Sequence, residues 1–130
     1  MKKGIFIVMV NCTDPSREEE FNRWYTHTHL PDLSRTRGMV KARRFKHIRS
    51  ERGEPSKYVT IYEFETENLD DSMKDFMKYV DEAHATGRHI DCLDVKGLHL
   101  YEEIDPKSLK PLAKVNYPKK RSDSLPTPEW

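Results

Sequence analysis

Gly4-Ile5-Phe6-Ile7-Val8-Met9-Val10-Asn11 is the stretch that decides the fold. It is a nearly continuous apolar run rich in β-branched residues, the pattern of a central strand covered on both faces. Two lysines precede it, but the run is short and lacks a small-residue cleavage site, so it reads as a buried strand and not as a signal peptide. Thr13 or Asp14 can cap a helix with Pro15 in its first turn and Glu18, Glu19 and Glu20 where the helix dipole favours acids.

Beyond that helix, Gly38 opens a second strand, Met39 to Arg49, and Arg52-Gly53-Glu54-Pro55 supplies turn chemistry before a third, Lys57 to Glu65. The pair reads as an antiparallel hairpin. Asp70 or Asp71 begins a second helix, in which Leu69, Met73, Phe76, Met77, Val80, Ala83 and His84 share a face and Gly87 is a natural stop. Val95 to Ile104 supplies the fourth strand. The order is β-α-β-β-α-β, a ferredoxin-like α+β arrangement with both helices on one face of an antiparallel sheet. The other face is left bare, with Val40, Ala42, Ile48, Val59 and Ile61 among the strand residues, and pairing with a second copy would cover it. Residues 1–104 form the expected domain, and residues 105–130 a proline-rich C-terminal extension. That extension is expected to be an extended arm, docking Tyr117 or Trp130 on a partner subunit, or else disordered.

The 23 basic and 22 acidic residues nearly cancel, so no strong net field draws the chain to nucleic acid or membrane. The Lys119-Lys120-Arg121 cluster reads as a solvated stretch, and no segment is long and apolar enough to span a bilayer. Cys12 and Cys92 belong to no CxxC or Cys/His array, so neither a disulfide framework nor a structural metal is expected, and a cytoplasmic location fits.

The chemistry is concentrated in Trp24-Tyr25-Thr26-His27-Thr28-His29-Leu30-Pro31-Asp32-Leu33. Stepping about 100° per residue from Phe21 puts Trp24, Tyr25 and Thr28 on one face with His29 at its edge, while His27 points away. Pro31 should end or kink the helix, leaving His29 at its C-terminal end near a carboxylate, a plausible place for a proton carrier.

With that motif, followed by Gly38-Met39-Val40-Lys41-Ala42-Arg43-Arg44-Phe45, the sequence resembles the dimeric α+β barrel superfamily, and within it the EthD-like proteins. The resemblance spans roughly residues 4–104. It implies a homodimer whose two sheets face each other as a barrel, with a small cavity in each subunit between helices and sheet. It also implies action on small, often aromatic or enolisable molecules, by isomerases, cyclases, dehydratases or cofactor-independent monooxygenases.

The candidate catalytic residues are His29 as general base, Asp32 to orient it, Tyr25 one turn earlier, and His84 as a second imidazole from the other helix. A metal held by both histidines and Asp32 has no supporting close spacing, so no metal and no organic cofactor are expected. Trp24, Arg43, Arg44 and Tyr62 are the candidate substrate-binding residues. Arg43 and Arg44 point to opposite faces of their strand, so one of them can meet a carboxylate or enolate. Tyr58, Tyr62 and Phe64 line one face with Thr60, while His99 and Tyr101 are weaker candidates. The expected function is a cofactor-free lyase, isomerase or cyclase acting by proton transfer on a small aromatic, enolisable or polyketide-like molecule. The alternatives are cofactor-independent oxygenation of a phenol, and ligand binding without turnover.

Overall fold

A computed structural model describes residues 1–113 of the chain. Strands β1 (Lys2–Cys12), β2 (Met39–Lys46), β3 (Tyr58–Thr66) and β4 (Leu93–Glu102) form one antiparallel sheet in the order β2-β3-β1-β4. Helices α1 (Glu18–Trp24), α2 (Leu30–Leu33) and α3 (Leu69–Ala85) complete a ferredoxin-like α+β fold. Tyr117, Trp130 and the Lys119–Arg121 cluster lie outside the described residues.

β1 holds the centre because its alternation serves two faces. Phe6, Val8 and Val10 turn toward the helices and are buried with Tyr58, Tyr62 and Phe64 of β3. Ile5, Ile7 and Met9 point the other way, where Ile7 lies opposite Ile61 and Met9 opposite Val59. Aromatic edges close the helix side, with Phe76 of α3 meeting Phe6 at 5.2 Å and Tyr62 at 5.1 Å between centroids, both near-perpendicular.

Three expectations are corrected. Ala42 is not on the helix-free face: it lies opposite Tyr62 in the β2–β3 ladder and so turns toward the helices. β2 stops at Lys46 and not at Arg49, and Ile48 beyond it is 85% exposed. Along α3 the buried stripe is Leu69-Met73-Phe76-Val80-Ala83, spaced alternately by four and three residues. Met77 and His84 each stand one residue past that stripe, about 100° around the helix, and both are exposed. Asn68 caps α3, its side-chain oxygen accepting from the Asp71 N–H at 3.1 Å.

The turn into β2 depends on Gly38, which has φ +81° and whose carbonyl accepts from the Glu65 N–H at 2.8 Å. A Cβ there would lie 2.7 Å from Thr66 Cβ, whereas Gly53 at φ +89° has nothing within 4 Å. Gly53→Ala should therefore lose only the conformational term, about 1 kcal/mol, and Gly38→Ala should lose roughly 1–3 kcal/mol more from the clash. Urea denaturation of both variants measures the difference.

Candidate functional site

The residues that carry the chemistry are brought together by an irregular turn. Between α1 and α2 the chain makes a π-helical turn, Tyr25–His29, in which the Leu30 N–H bonds to the Tyr25 carbonyl five residues back. The cause is Pro31, which has no N–H and whose ring would strike the carbonyl of His27 four residues earlier in a regular helix. A wider turn opens that ladder and lets the helix run on to Leu33. Of the two outcomes expected at Pro31, an end or a kink, the helix does not end: Pro31 sits in the first turn of α2, and His29, expected at a C-terminal end, stands at the junction inside the helical run.

The extra residue changes which side chains meet. Five residues apart, Trp24 and His29 would point about 140° away from each other on an α-helix. Here they stack, 4.6 Å between centroids with planes 22° apart, and the Tyr25 ring meets His29 edge-on at 4.9 Å. His27 points outward and is exposed. The Trp24 indole N–H is anchored at 2.8 Å on the carbonyl of Arg88, in the turn that follows α3.

Arg44 arrives from β2 on the helix side, opposite Thr60. Its Nη1 donates to the Asn22 carbonyl at 3.3 Å and to Thr26 Oγ1 at 3.1 Å, and its Nη2 to Asn22 Oδ1 at 2.8 Å. These bonds set the guanidinium over the Tyr25 ring, 4.4 Å from its centroid, with Tyr58 at 5.3 Å. Below them Tyr25 and Tyr62 are buried, and burial raises the pKa of both phenols, so each remains a neutral donor near pH 7. Among the described residues, His29 Nδ1, Arg44 Nε, Thr60 Oγ1 and Tyr62 Oη are buried with no partner in ordinary hydrogen-bond geometry. The Thr60 and Tyr62 hydroxyls are nevertheless near enough to the Tyr25 hydroxyl to oppose the rise in its pKa.

His29 is neutral at physiological pH. Burial pushes its pKa down to about 4; the charge of Asp32 opposes this, while His84 and Arg44 add to it. Asp32 does not orient the imidazole by a hydrogen bond, because Arg88 holds its carboxylate bidentately, Nε to Oδ2 at 2.8 Å and Nη2 to Oδ1 at 3.1 Å. That ion pair keeps the Asp32 pKa below its ordinary value, and Asp32 acts on His29 through its charge.

The structure therefore gathers Tyr25, His29, Trp24, Arg44 and Tyr62, with Asp32 at the margin. Of the other two, Arg43 lies outside this cluster and His84 reaches it only through its charge on His29. Arg43 points to the helix-free face and pairs with Glu63 at 3.3 Å. His84 is exposed and stacks on His89, 4.5 Å between centroids, instead of entering the core. Asn22, Thr26, Thr60 and Arg88 complete the cluster and were not singled out in the sequence. Asn22 and Thr26 stand four residues apart on one flank of the helix, a spacing that could have marked them as partners for a strand residue. A groove of about 440 Å³ between α2 and β2, lined by Thr26, Leu30, Pro31, Ser34, Met39 and Ala42 among others, reaches the hydroxyl that accepts from Arg44.

Comparison with known proteins places this chain in a family. Residues 3–90 match the model described as a domain of unknown function, DUF4286. The chain belongs to the DUF4286 family. A search of curated proteins returns no significant match. Among solved structures, HapK from Hahella chejuensis is similar with a TM-score of 0.56 at 12% identity, over 78% of this chain and 92% of that one. A proposed antibiotic biosynthesis monooxygenase from Bordetella bronchiseptica aligns with a TM-score of 0.55 at 20% identity, over 81% and 98%. An EthD-like protein from Ralstonia eutropha aligns with a TM-score of 0.54 at 13% identity, over 83% and 97%. At these identities the likeness is one of fold, and the fold of this DUF4286 protein is that of the EthD-like, ferredoxin-like proteins. Among the described residues no helix is long and apolar enough to cross a membrane.

The depressed His29 pKa has a thermodynamic signature. Below about pH 6.5 the unfolded chain takes up a proton on His29 that the fold refuses until about pH 4. The unfolded state binds more protons across that window, so stability falls as pH drops through it, by about 3 kcal/mol at most. Subtracting the urea-derived stability curve of His29→Gln from that of the wild type should isolate this slope. In NMR titration, the His29 imidazole should stay neutral down to about pH 4.

Proposed function

We propose that this protein is a small cofactor-free enzyme of lyase, isomerase or cyclase type, acting by proton transfer on a small enolisable, aromatic or polyketide-like substrate. The observation that carries the proposal is the meeting of His29 and Arg44 on the Tyr25 ring, each with a buried nitrogen that has no partner, beside the adjoining hydroxyls of Tyr25, Thr60 and Tyr62. Such atoms are rare in folded proteins, and a substrate oxygen offers them partners.

The roles follow from the charges. A neutral His29 accepts a proton from an acidic C–H or O–H of the substrate, and the negative charge that develops on the substrate oxygen is met by Arg44 and the Tyr25 and Tyr62 hydroxyls. Its low pKa makes His29 a weak base in the empty site. A substrate anion beside it adds to the charge of Asp32 and raises the affinity for the proton as the reaction proceeds. Trp24, stacked on the imidazole and tied to Arg88, fixes the ring plane. Thr26, which accepts from Arg44, is the residue that the groove between α2 and β2 shares with this cluster.

A 1,3-dicarbonyl probe tests this without knowledge of the natural substrate. The protein should catalyse solvent deuterium exchange at the activated carbon. His29→Ala should lower the rate by about 10² to 10⁴, and His27→Ala should leave it nearly unchanged. Equal rates in the two variants would remove His29 from the chemistry, and binding of the probe without exchange would favour a non-catalytic ligand-binding protein. Cofactor-independent oxygenation of a phenol is a second reading, supported by the monooxygenase description of one structural neighbour. Oxygen uptake with a phenolic probe separates it from the first.

The same proposal includes a homodimer. Ile5, Ile7, Met9, Val59 and Ile61 lie together on the helix-free face, with Phe45 and Tyr101 at its borders 45% and 55% exposed. Pairing two such faces removes them from water. Light scattering at micromolar concentration should give about twice the 15.4 kDa chain mass; a monomer would count against the barrel.

A further inference from the structure

We propose that Cys12 and Cys92 are a modification site, a thiol pair that peroxide converts reversibly into an intramolecular disulfide. Cys12 is the last residue of β1 and lies opposite Leu93, the first residue of β4. The next rung is closed by the Thr13 N–H, which donates to the Cys92 carbonyl at 2.8 Å. Cys12 and Cys92 are thus diagonal neighbours across an antiparallel ladder, where standard spacings put their Cα atoms about 6 Å apart. That is inside the span of roughly 4.4–6.8 Å that a disulfide bridges without backbone movement.

Side-chain direction agrees. On regular strands diagonal neighbours point to opposite faces, but Cys92 precedes the first residue of β4 and is free of that alternation. Both cysteines pack against the same hydrophobic core, Cys92 within it and Cys12 on its margin. The two thiols are close enough to interact directly.

The environments assign different roles. Cys92 is 2% exposed, and burial with the neighbouring thiol pushes its pKa up to about 11. Cys12 is partly exposed and its thiol donates to the Asp14 carbonyl at 3.2 Å. Cys12 is therefore the residue that meets the oxidant and Cys92 the one that resolves it. In the first step the Cys12 sulfur displaces one oxygen of hydrogen peroxide, giving a sulfenic acid and water. In the second the Cys92 sulfur attacks that sulfenic sulfur, the S–S bond forms, and the hydroxyl leaves with the Cys92 proton as a second water. Two thiols are oxidised and one peroxide is reduced.

The pair does not depend on the proposed proton-transfer chemistry. It is nevertheless joined to the His29 cluster through the segment ahead of Cys92, where Asp91 pairs with Arg17 at 2.7 Å and Arg88 holds both Trp24 and Asp32.

Only two cysteines are present in the chain, so an intramolecular disulfide has one possible pairing. The full-length protein, treated with stoichiometric hydrogen peroxide and quenched with an alkylating agent, should lose both titratable thiols and about 2 Da, recovering both with dithiothreitol. Non-reducing peptide mapping should show the Cys12 and Cys92 peptides linked within one chain. In Cys92→Ala, checked for native circular dichroism, Cys12 should stop at a sulfenic acid that dimedone traps. The proposal fails if oxidised wild type shows no linked peptide and carries sulfinic or sulfonic acid on Cys12 instead, or if linkage occurs only between chains. The wild-type mapping stands whether or not the variant folds.

Discussion

Everything in this protein hangs on β1 having two apolar faces at once. A strand with Phe6, Val8 and Val10 on one side and Ile5, Ile7 and Met9 on the other belongs in the middle of a sheet, and it is flanked there by β3 and β4. Its ladder with β3 sets which β3 residues face the helices, and the β3–β2 ladder then carries Arg44 to a place opposite Thr60. A one-residue slip between β2 and β3 would exchange Arg44 for Arg43 or Phe45 beneath the helix. The guanidinium over Tyr25 is therefore a product of sheet register as much as of its own hydrogen bonds.

On the helix side a second constraint, Pro31, does comparable organising. The π-turn it imposes stacks His29 on Trp24, and Trp24 in turn fastens the helix to Arg88 beyond α3. Arg88 grips Asp32, so the turn after α3 and the end of the first helical run are joined by one indole bond and one ion pair. Burial of a neutral imidazole, of phenols and of an arginine in one small volume is costly unless each group is satisfied. That the imidazole and the guanidinium each keep a buried nitrogen without a partner is what separates this cluster from ordinary core packing.

The element order was legible because each element carries a local signal: the apolar run of β1, the acids opening α1, Gly38 and Gly53 at turns, and Gly87 after α3. The orientation of His27 and the opposite directions of Arg43 and Arg44 follow from strand and helix periods alone, and the structure has them so. What periodicity misplaced is instructive. His84 looked like part of the α3 stripe, but it stands one residue past Ala83, and a window that admits neighbours at 100° cannot tell stripe from flank. Ala42 was placed on the helix-free face because an apolar strand residue does not state its own register. The His29–Trp24 stack was invisible to a regular wheel, since a π-turn breaks the period on which the wheel rests. The partnership of Asp32 with Arg88 spans 56 residues and depends on tertiary closure.

The π-turn also divides the chain into places where its length is free and places where it is fixed. Between β2 and β3, around Gly53, residues are exposed and a Cβ there meets nothing, so a homologue could gain or lose a residue at little cost. Within Tyr25–His29 a single deletion would return the helix to an ordinary pitch, in which Trp24 and His29, then four residues apart, still share a face, but the proline ring would be driven against a carbonyl. The extra residue between Trp24 and Pro31 is thus tied to the proline, and neither is removed without the other.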